Sequence, residues 1–164
     1  MSTSNTPPPP RPPRPGRVAG IDYGTVRIGV AISDAERRLA SPYENYTRRD
    51  KQTDARWFQQ FVKEEQIVLF VVGLPLYPSG DESAKSYEAR NYGAWLTEQT
   101  GVPVEFFDER YTSAEAEQML QAAELTSKRR KARRDMLAAQ IILSSYLESG
   151  GHRGEPGPLE DRRK

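Results

Sequence analysis

The stretch RVAGIDYGTVRIGVAIS, residues 17–33, decides how the rest of the chain is read. It contains two short runs rich in Val, Ile and Ala, 17–23 and 26–33, which meet at Gly24-Thr25. Apolar runs of that length joined by so short a connection predict a β-hairpin. Asp22 interrupts the first run just before the turn. An acid at the end of a strand in a buried sheet stands where side chains reach a surface crevice.

A third and weaker strand is predicted within 38–46, RLASPYENY. Asp50 or Thr53 is placed to cap a helix over about 53 to 65, whose apolar positions are Trp57, Phe58, Phe61 and Val62. IVLFVVGLP, residues 67–75, opens on six apolar residues and ends in Gly and Pro, which predicts a strand buried on both faces. Ser79 to Asp81 then lead into a helix through about residue 99, carrying Ala84, Tyr87, Tyr92, Trp95 and Leu96 and stopped by Gly101. VPVEFF, 102–107, is the next strand and runs into Asp108-Glu109-Arg110. Thr112-Ser113-Ala114-Glu115 has the form of a capping box for a helix to about Glu124. A basic segment, 128–134, precedes a final helix over about 132–148. Three strands followed by alternating helices and strands predict an α/β fold around a sheet of mixed direction. The order of the strands is not legible from this pattern.

Composition sets the bounds. Of the 164 residues, 13 are proline, and seven of these crowd between Pro7 and Pro15. Residues 1–16 therefore read as a disordered Pro-rich arm and residues 150–164, made of Gly, Pro and charge, as a disordered tail. Residues 17–149 remain as one domain of ordinary size. There is no cysteine, and the one histidine is His152 in the tail. Thiolate chemistry is excluded and His-dependent catalysis disfavoured, so any catalysis falls to carboxylates, Lys, Arg, Tyr, Ser or Thr. No apolar run reaches the roughly 18 residues of a membrane span. The start of the chain lacks the apolar centre of a signal peptide. A cytoplasmic protein without membrane attachment is the expectation.

Three acidic places stand out. Asp22 has an ordinary reading as a turn-forming residue. Asp108 and Glu109 follow a strand, where open α/β sheets bind ligands, yet they also read as solvated loop acids or as partners of Arg110. Asp135 shares a stripe of the last helix with Ala138, Ala139, Ile142 and Tyr146. That stripe should face the sheet, although an acid in a first helical turn is also favoured by the helix dipole. Taken together, converging carboxylates repel one another and are best tolerated around a divalent cation. A set of oxygen ligands suits Mg²⁺ or Mn²⁺, and two such ions can promote hydrolysis of a phosphodiester without His or Cys.

The formal charge of +1, from 24 basic and 23 acidic residues, gives no general attraction to nucleic acid. Local clusters must supply it. Lys128, Arg129, Arg130, Lys131, Arg133 and Arg134 put six cations into seven residues immediately before Asp135. Arg27, on the second strand, stands where it could reach back to a phosphate or to Asp22. Arg37-Arg38 and Arg48-Arg49 are weaker candidates.

GIDYGTVRIGVAISD (20–34), VVGLP (71–75), DERYTSAEA (108–116) and DMLAAQIILSSYL (135–147) resemble, in order and spacing, the four blocks of the YqgF family, also called the RuvX or Holliday-junction-resolvase-like family. The resemblance covers about residues 17–148. It implies an RNase H-like fold, a five-stranded mixed β-sheet flanked by α-helices. It further implies a divalent-metal nuclease acting on precursor 16S ribosomal RNA or on branched DNA. By that resemblance Asp22, Glu109 and Asp135 are the catalytic acids, and Asp22, Asp108, Glu109 and Asp135 are the candidate metal ligands, with the choice between Asp108 and Glu109 open. Tyr111 and Ser113 depart from the family's usual Leu and Thr.

Two other classes compete. GIDYGT also looks like the first phosphate loop of actin-like and sugar-kinase-like ATPases, but those need a second such domain and loop, for which this chain has no room. A non-catalytic nucleic-acid-binding factor in ribosome assembly is the remaining alternative.

Overall fold

The structure, a computed structural model, describes residues 15–112, 114, 118 and 130–150, with 130–135 described through their backbone. Five strands form one sheet: β1 (Arg17–Asp22), β2 (Arg27–Ser33), β3 (Ala40–Thr47), β4 (Ile67–Leu74) and β5 (Val104–Asp108). Among the described residues the helices α1 (Lys51–Glu65), α2 (Ala84–Thr100) and α3 (Arg130–Glu148) flank it. The strand order is β3-β2-β1-β4-β5. The first three strands pair antiparallel, as the hairpin reading requires, while β4 joins β1 and β5 joins β4 in parallel. Parallel pairing puts the C-terminal ends of β1, β4 and β5 on the same rim. Ile21 is level with Val72, and Leu74 is level with Asp108.

Alternation along the strands divides the core in two. Ala19, Ile21, Phe70, Val72 and Leu74 face α1 and α2 in one cluster, and Val18, Leu69, Val71 and Phe107 face α3 in the other. Both faces of β4 are therefore covered, which explains its unbroken apolar run. Phe58 and Phe70 are fully buried, and side chains of this size contribute roughly 1.5–3 kcal/mol each. On the opposite face α3 presses close. A Cβ on Gly20 would lie 2.8 Å from Leu143 Cβ and 2.9 Å from the Ala139 carbonyl oxygen. Glycine at this position lets the helix backbone meet the strand.

Helix ends follow their caps. Asp50 accepts from the Thr53 amide at 2.8 Å, so α1 starts at Lys51, two residues before the expected start. Residues 79–81 do not start α2. They close a turn in which the Tyr77 amide donates to Asp81 O and the Gly80 amide to Tyr77 O. Ser83 caps the helix through a reciprocal pair with Ser86, and Gly101 ends it with φ 74°. The buried face of α2 is Ser86, Ala89, Tyr92, Gly93 and Leu96. Ala84 and Tyr87, expected among its apolar positions, are exposed, because they fall outside that i, i+3, i+4 stripe. After β5 the chain makes a 3₁₀ turn, Glu109–Tyr111, that the sequence reading did not anticipate. The helix expected over 112–124 lies almost wholly outside the described residues, as do nearly all of the arm 1–16 and the tail 150–164. Gly16, assigned to the arm, belongs to the packed domain: its carbonyl accepts from Arg37 Nε at 3.0 Å.

Candidate active site

Asp22 is the last residue of β1, paired across the hairpin with Gly29. Glu109 is the first residue beyond β5. With β4 between them, the two acids meet on the rim where the parallel strands end. They line one cleft of about 160 Å³, with Tyr23, Gly73, Pro75, Lys85 and Ala89. Gly73 makes this possible: a Cβ there would stand 2.9 Å from Glu109 Oε2 and 2.5 Å from Ile142 Cδ1. Any larger residue would compete for the space that the Glu109 carboxylate occupies.

The site is electrostatically tense. Burial is the main cause that raises the Glu109 carboxyl, followed by the charges of Asp22 and of Asp108, with Lys85 opposing, and it titrates at about 7. Among the described residues, a buried carboxyl thus shares the cleft with a second carboxylate and with Lys85. An arrangement of this kind marks functional sites more often than structural ones.

Asp108 lives differently. Its carboxylate is fully buried and accepts from Arg110 Nε at 3.0 Å and from Arg110 Nη2 at 2.6 Å. It also accepts from the Arg110 amide at 2.9 Å. The pair keeps the guanidinium more firmly protonated than usual, and Arg110 is tied on to the Pro78 carbonyl at 3.2 Å. Asp108 thus fixes the turn that aims Glu109 into the cleft, and it is not among the cleft-lining residues.

Asp135 stands in the first half of α3, one turn before Ala139 and two before Ile142, both buried against the sheet. Ile142 reaches the same spot beside Gly73 as Glu109 does. The stripe that carries position 135 therefore runs toward the cleft, while the side chain of Asp135 lies outside the described residues. Among the described residues no group of three acids or histidines gathers to hold a metal. Of the expected basic contacts, Arg27 is exposed at the start of β2. Lys128 and Arg129, and the side chains of Arg130, Lys131, Arg133 and Arg134, lie outside the described residues, although α3 begins at Arg130, two residues earlier than expected. Lys85 escaped the sequence reading. It stands in the first turns of α2, and nothing in its neighbours' pattern announces a lysine turned to a carboxylate pair.

The family model for "RuvX: Holliday junction resolvase" matches residues 16–149. The chain belongs to the RuvX family. Among its relatives in that family, a Rhodopirellula baltica protein named "Putative pre-16S rRNA nuclease" is 45% identical over 155 residues, covering 94% of this chain and 90% of that one. A protein of the same name from Koribacter versatilis is 39% identical, covering 86% of this chain and 93% of that one. With RuvX membership and such relatives, the activity class follows: the chain is a nuclease. Among solved structures, Thermus thermophilus RuvC in complex with a Holliday junction superposes with a TM-score of 0.56 at 16% identity, over 87% of this chain and 99% of that one. At that identity the likeness speaks for the fold, which is RNase H-like as in RuvC.

Proposed function

We propose that this protein is a divalent-metal-dependent nuclease that processes precursor 16S ribosomal RNA in the cytoplasm, with Asp22, Glu109 and Asp135 as its catalytic acids. The observation that carries the reading is the shared cleft of Asp22 and Glu109, with the Glu109 carboxyl pushed up to about 7. Two hard oxygen donors in one cleft, with burial and the Asp22 charge raising the Glu109 carboxyl, fit Mg²⁺ or Mn²⁺ well, since a cation relieves the repulsion that the fold imposes. Asp22 and Glu109 would hold the ion or ions together with Asp135. Such ions, when bound, supply positive charge against the phosphodiester and acidify a water.

The remaining work belongs to the chain itself. Lys85, on the cleft wall, meets the non-bridging oxygens of the phosphate and offsets the acids' repulsion of the substrate. Glu109, held in the same cleft as Asp22, offers its carboxylate oxygens to the site once a cation offsets the repulsion between the two acids. Gly73 leaves room for the Glu109 carboxylate. Asp108 acts through Arg110 as a positioning residue rather than as a ligand. Arg27 and the cations of 128–134 extend the phosphate contacts along the strand without reading sequence.

Branched DNA is the second substrate to weigh, because the family model carries the name of a Holliday junction resolvase. Parallel cleavage assays with Mg²⁺ and Mn²⁺, on a precursor 16S RNA fragment and on a four-way DNA junction, separate the two. The RNA is cut at a defined position and the junction is left intact. Cleavage of the junction alone would overturn the RNA assignment. Binding of RNA with no cleavage under any metal would favour a non-catalytic assembly factor.

A further inference from the structure

A second cavity, of about 360 Å³, opens beside the cleft and has no part in the chemistry above. Its walls include Tyr23, Arg48, Lys51, Asn91, Tyr92 and Trp95. Tyr23 lines both spaces, and α2 supplies Lys85 and Ala89 to the cleft and Asn91, Tyr92 and Trp95 to the cavity. From Lys85 to Tyr92 is about 10 Å along a helix axis. That distance spans only a few nucleotides, at about 3.4 Å per step of a strand.

The cavity is built from flat surfaces. The Tyr92 and Trp95 rings lie 5.3 Å apart at 32°, and the Tyr23 and Tyr92 rings lie 5.2 Å apart. The Arg48 guanidinium sits 5.3 Å from the centroids of both tyrosines, held by the Gly24 carbonyl at 3.1 Å and by Tyr23 Oη at 3.2 Å. One polar atom is left over: Tyr92 is 6% exposed, and its Oη is buried without a hydrogen-bond partner. Buried hydroxyls are nearly always paired, so this one waits for a group that enters the cavity. Charge narrows the choice of that group. Arg48 and Lys51 are matched by Asp54 and Glu88 in the same walls, so the space suits a neutral polar plate better than a phosphate.

We propose that this cavity receives an unpaired nucleobase of the strand whose backbone passes through the Asp22–Glu109 cleft. The inference rests on the nuclease reading and deepens it, because a base can enter only where the substrate is single-stranded or unstacked. The partly exposed Trp95 ring and the outer side of the Arg48 plane stack on the base, and Tyr92 Oη and the Asn91 amide read its edge. The enzyme therefore selects a cut site beside unpaired nucleotides.

The test measures binding apart from cleavage. In the full-length Asp22→Asn background, affinity is determined by fluorescence anisotropy for an RNA duplex with a short single-stranded overhang, and for the same duplex with an abasic overhang. The overhang with bases binds roughly tenfold tighter, the range that stacking of one base gives. Asn91→Ala, on the exposed side of α2, and Trp95→Leu each shrink that difference several-fold and leave binding of the abasic form unchanged. Tyr92→Phe keeps the ring and removes only the hydroxyl, and it alters the preference among the four bases. Equal affinity for the two duplexes would overturn the base site, as would a difference untouched by all three variants. Adenosine monophosphate competing as well as the overhang would make this a free-nucleotide site and overturn the strand reading. Wild-type cleavage of the same duplex is scored alongside. Cleavage without a base-dependent affinity contradicts the base site alone, and a base-dependent affinity without cleavage contradicts the nuclease reading alone.

Discussion

Glu109 lies across the cleft from Asp22, between the ends of β1 and β5, and burial first and the Asp22 charge second lift its carboxyl to about 7. That relationship has a thermodynamic cost. An acid whose folded pKa lies above its ordinary value of 4.5 stabilises the fold fully below that value and loses the contribution as pH rises toward 7. In the metal-free protein this loss amounts to about 2–3 kcal/mol. Glu109→Gln removes the penalty. In chelator at pH 8 the variant should melt roughly 5 °C above wild type, and at pH 4.5 the two should coincide. An equal difference at both pH values would show that the carboxyl is not held in this environment.

Asp108→Asn should behave in the opposite way. It breaks the buried pair with Arg110 and leaves a guanidinium short of its partner, which costs about 2–3 kcal/mol when discounted for the partial exposure of Arg110. Divalent-metal affinity, read by Mn²⁺ titration below the melting range, should change by no more than a few-fold. The same titration on Glu109→Gln should show affinity lost while stability rises. Metal affinity abolished by Asp108→Asn in a folded protein would make Asp108 the ligand.

Gly73→Ala tests the crowding beside Glu109. The added Cβ meets the ends of two flexible side chains, Ile142 Cδ1 and Glu109 Oε2, so the fold gives way at a cost of about 1–2 kcal/mol. The Glu109 carboxylate has to move, and cleavage should fall at least tenfold. Gly20→Ala should reverse that balance. Its Cβ meets the Ala139 carbonyl oxygen and Leu143 Cβ on α3, which cannot rotate away, so stability suffers first. Full activity in Gly73→Ala would mean that the carboxylate is not confined there.

Neutralising Arg129, Arg130, Arg133 and Arg134 together should weaken nucleic-acid binding and lower the salt slope by roughly 0.7–0.9 for each phosphate that is no longer neutralised. Preference among substrates should stay unchanged, and saturating substrate should restore part of the rate. Unchanged affinity and unchanged salt dependence would assign the run to solvent.

The legible parts of this chain were those that physics decides locally. Six apolar residues in Ile67–Val72 announce a strand covered on both faces, Asp50 fits a cap, and Gly101 ends a helix because it takes positive φ without strain. Asp22 and Glu109 were legible as strand-end acids. Non-local facts were not legible. The order β3-β2-β1-β4-β5 depends on pairings between distant segments. Asp108 and Glu109 are adjacent in sequence, and the choice between them turns on where Arg110 reaches, tied to the Pro78 carbonyl 32 residues away. Lys85 and the wall of Tyr92, Trp95 and Arg48 are assembled from separate elements, none of which carries a signal by itself.

As proposed above, the Asp22–Glu109 cleft cleaves nucleic acid with a divalent ion. The most direct measurement is the single-turnover cleavage rate of a precursor 16S RNA fragment, by wild type and by Asp22→Asn, in Mn²⁺ and in chelator, with folding checked by thermal melting. Wild type is expected to cleave, to stop in chelator and to resume with Mn²⁺. The Asp22→Asn protein is expected to melt no lower than metal-free wild type and to cleave at least a hundredfold more slowly. Asp22→Asn cleaving at the wild-type rate, or wild type cleaving undiminished in chelator, would contradict that proposal.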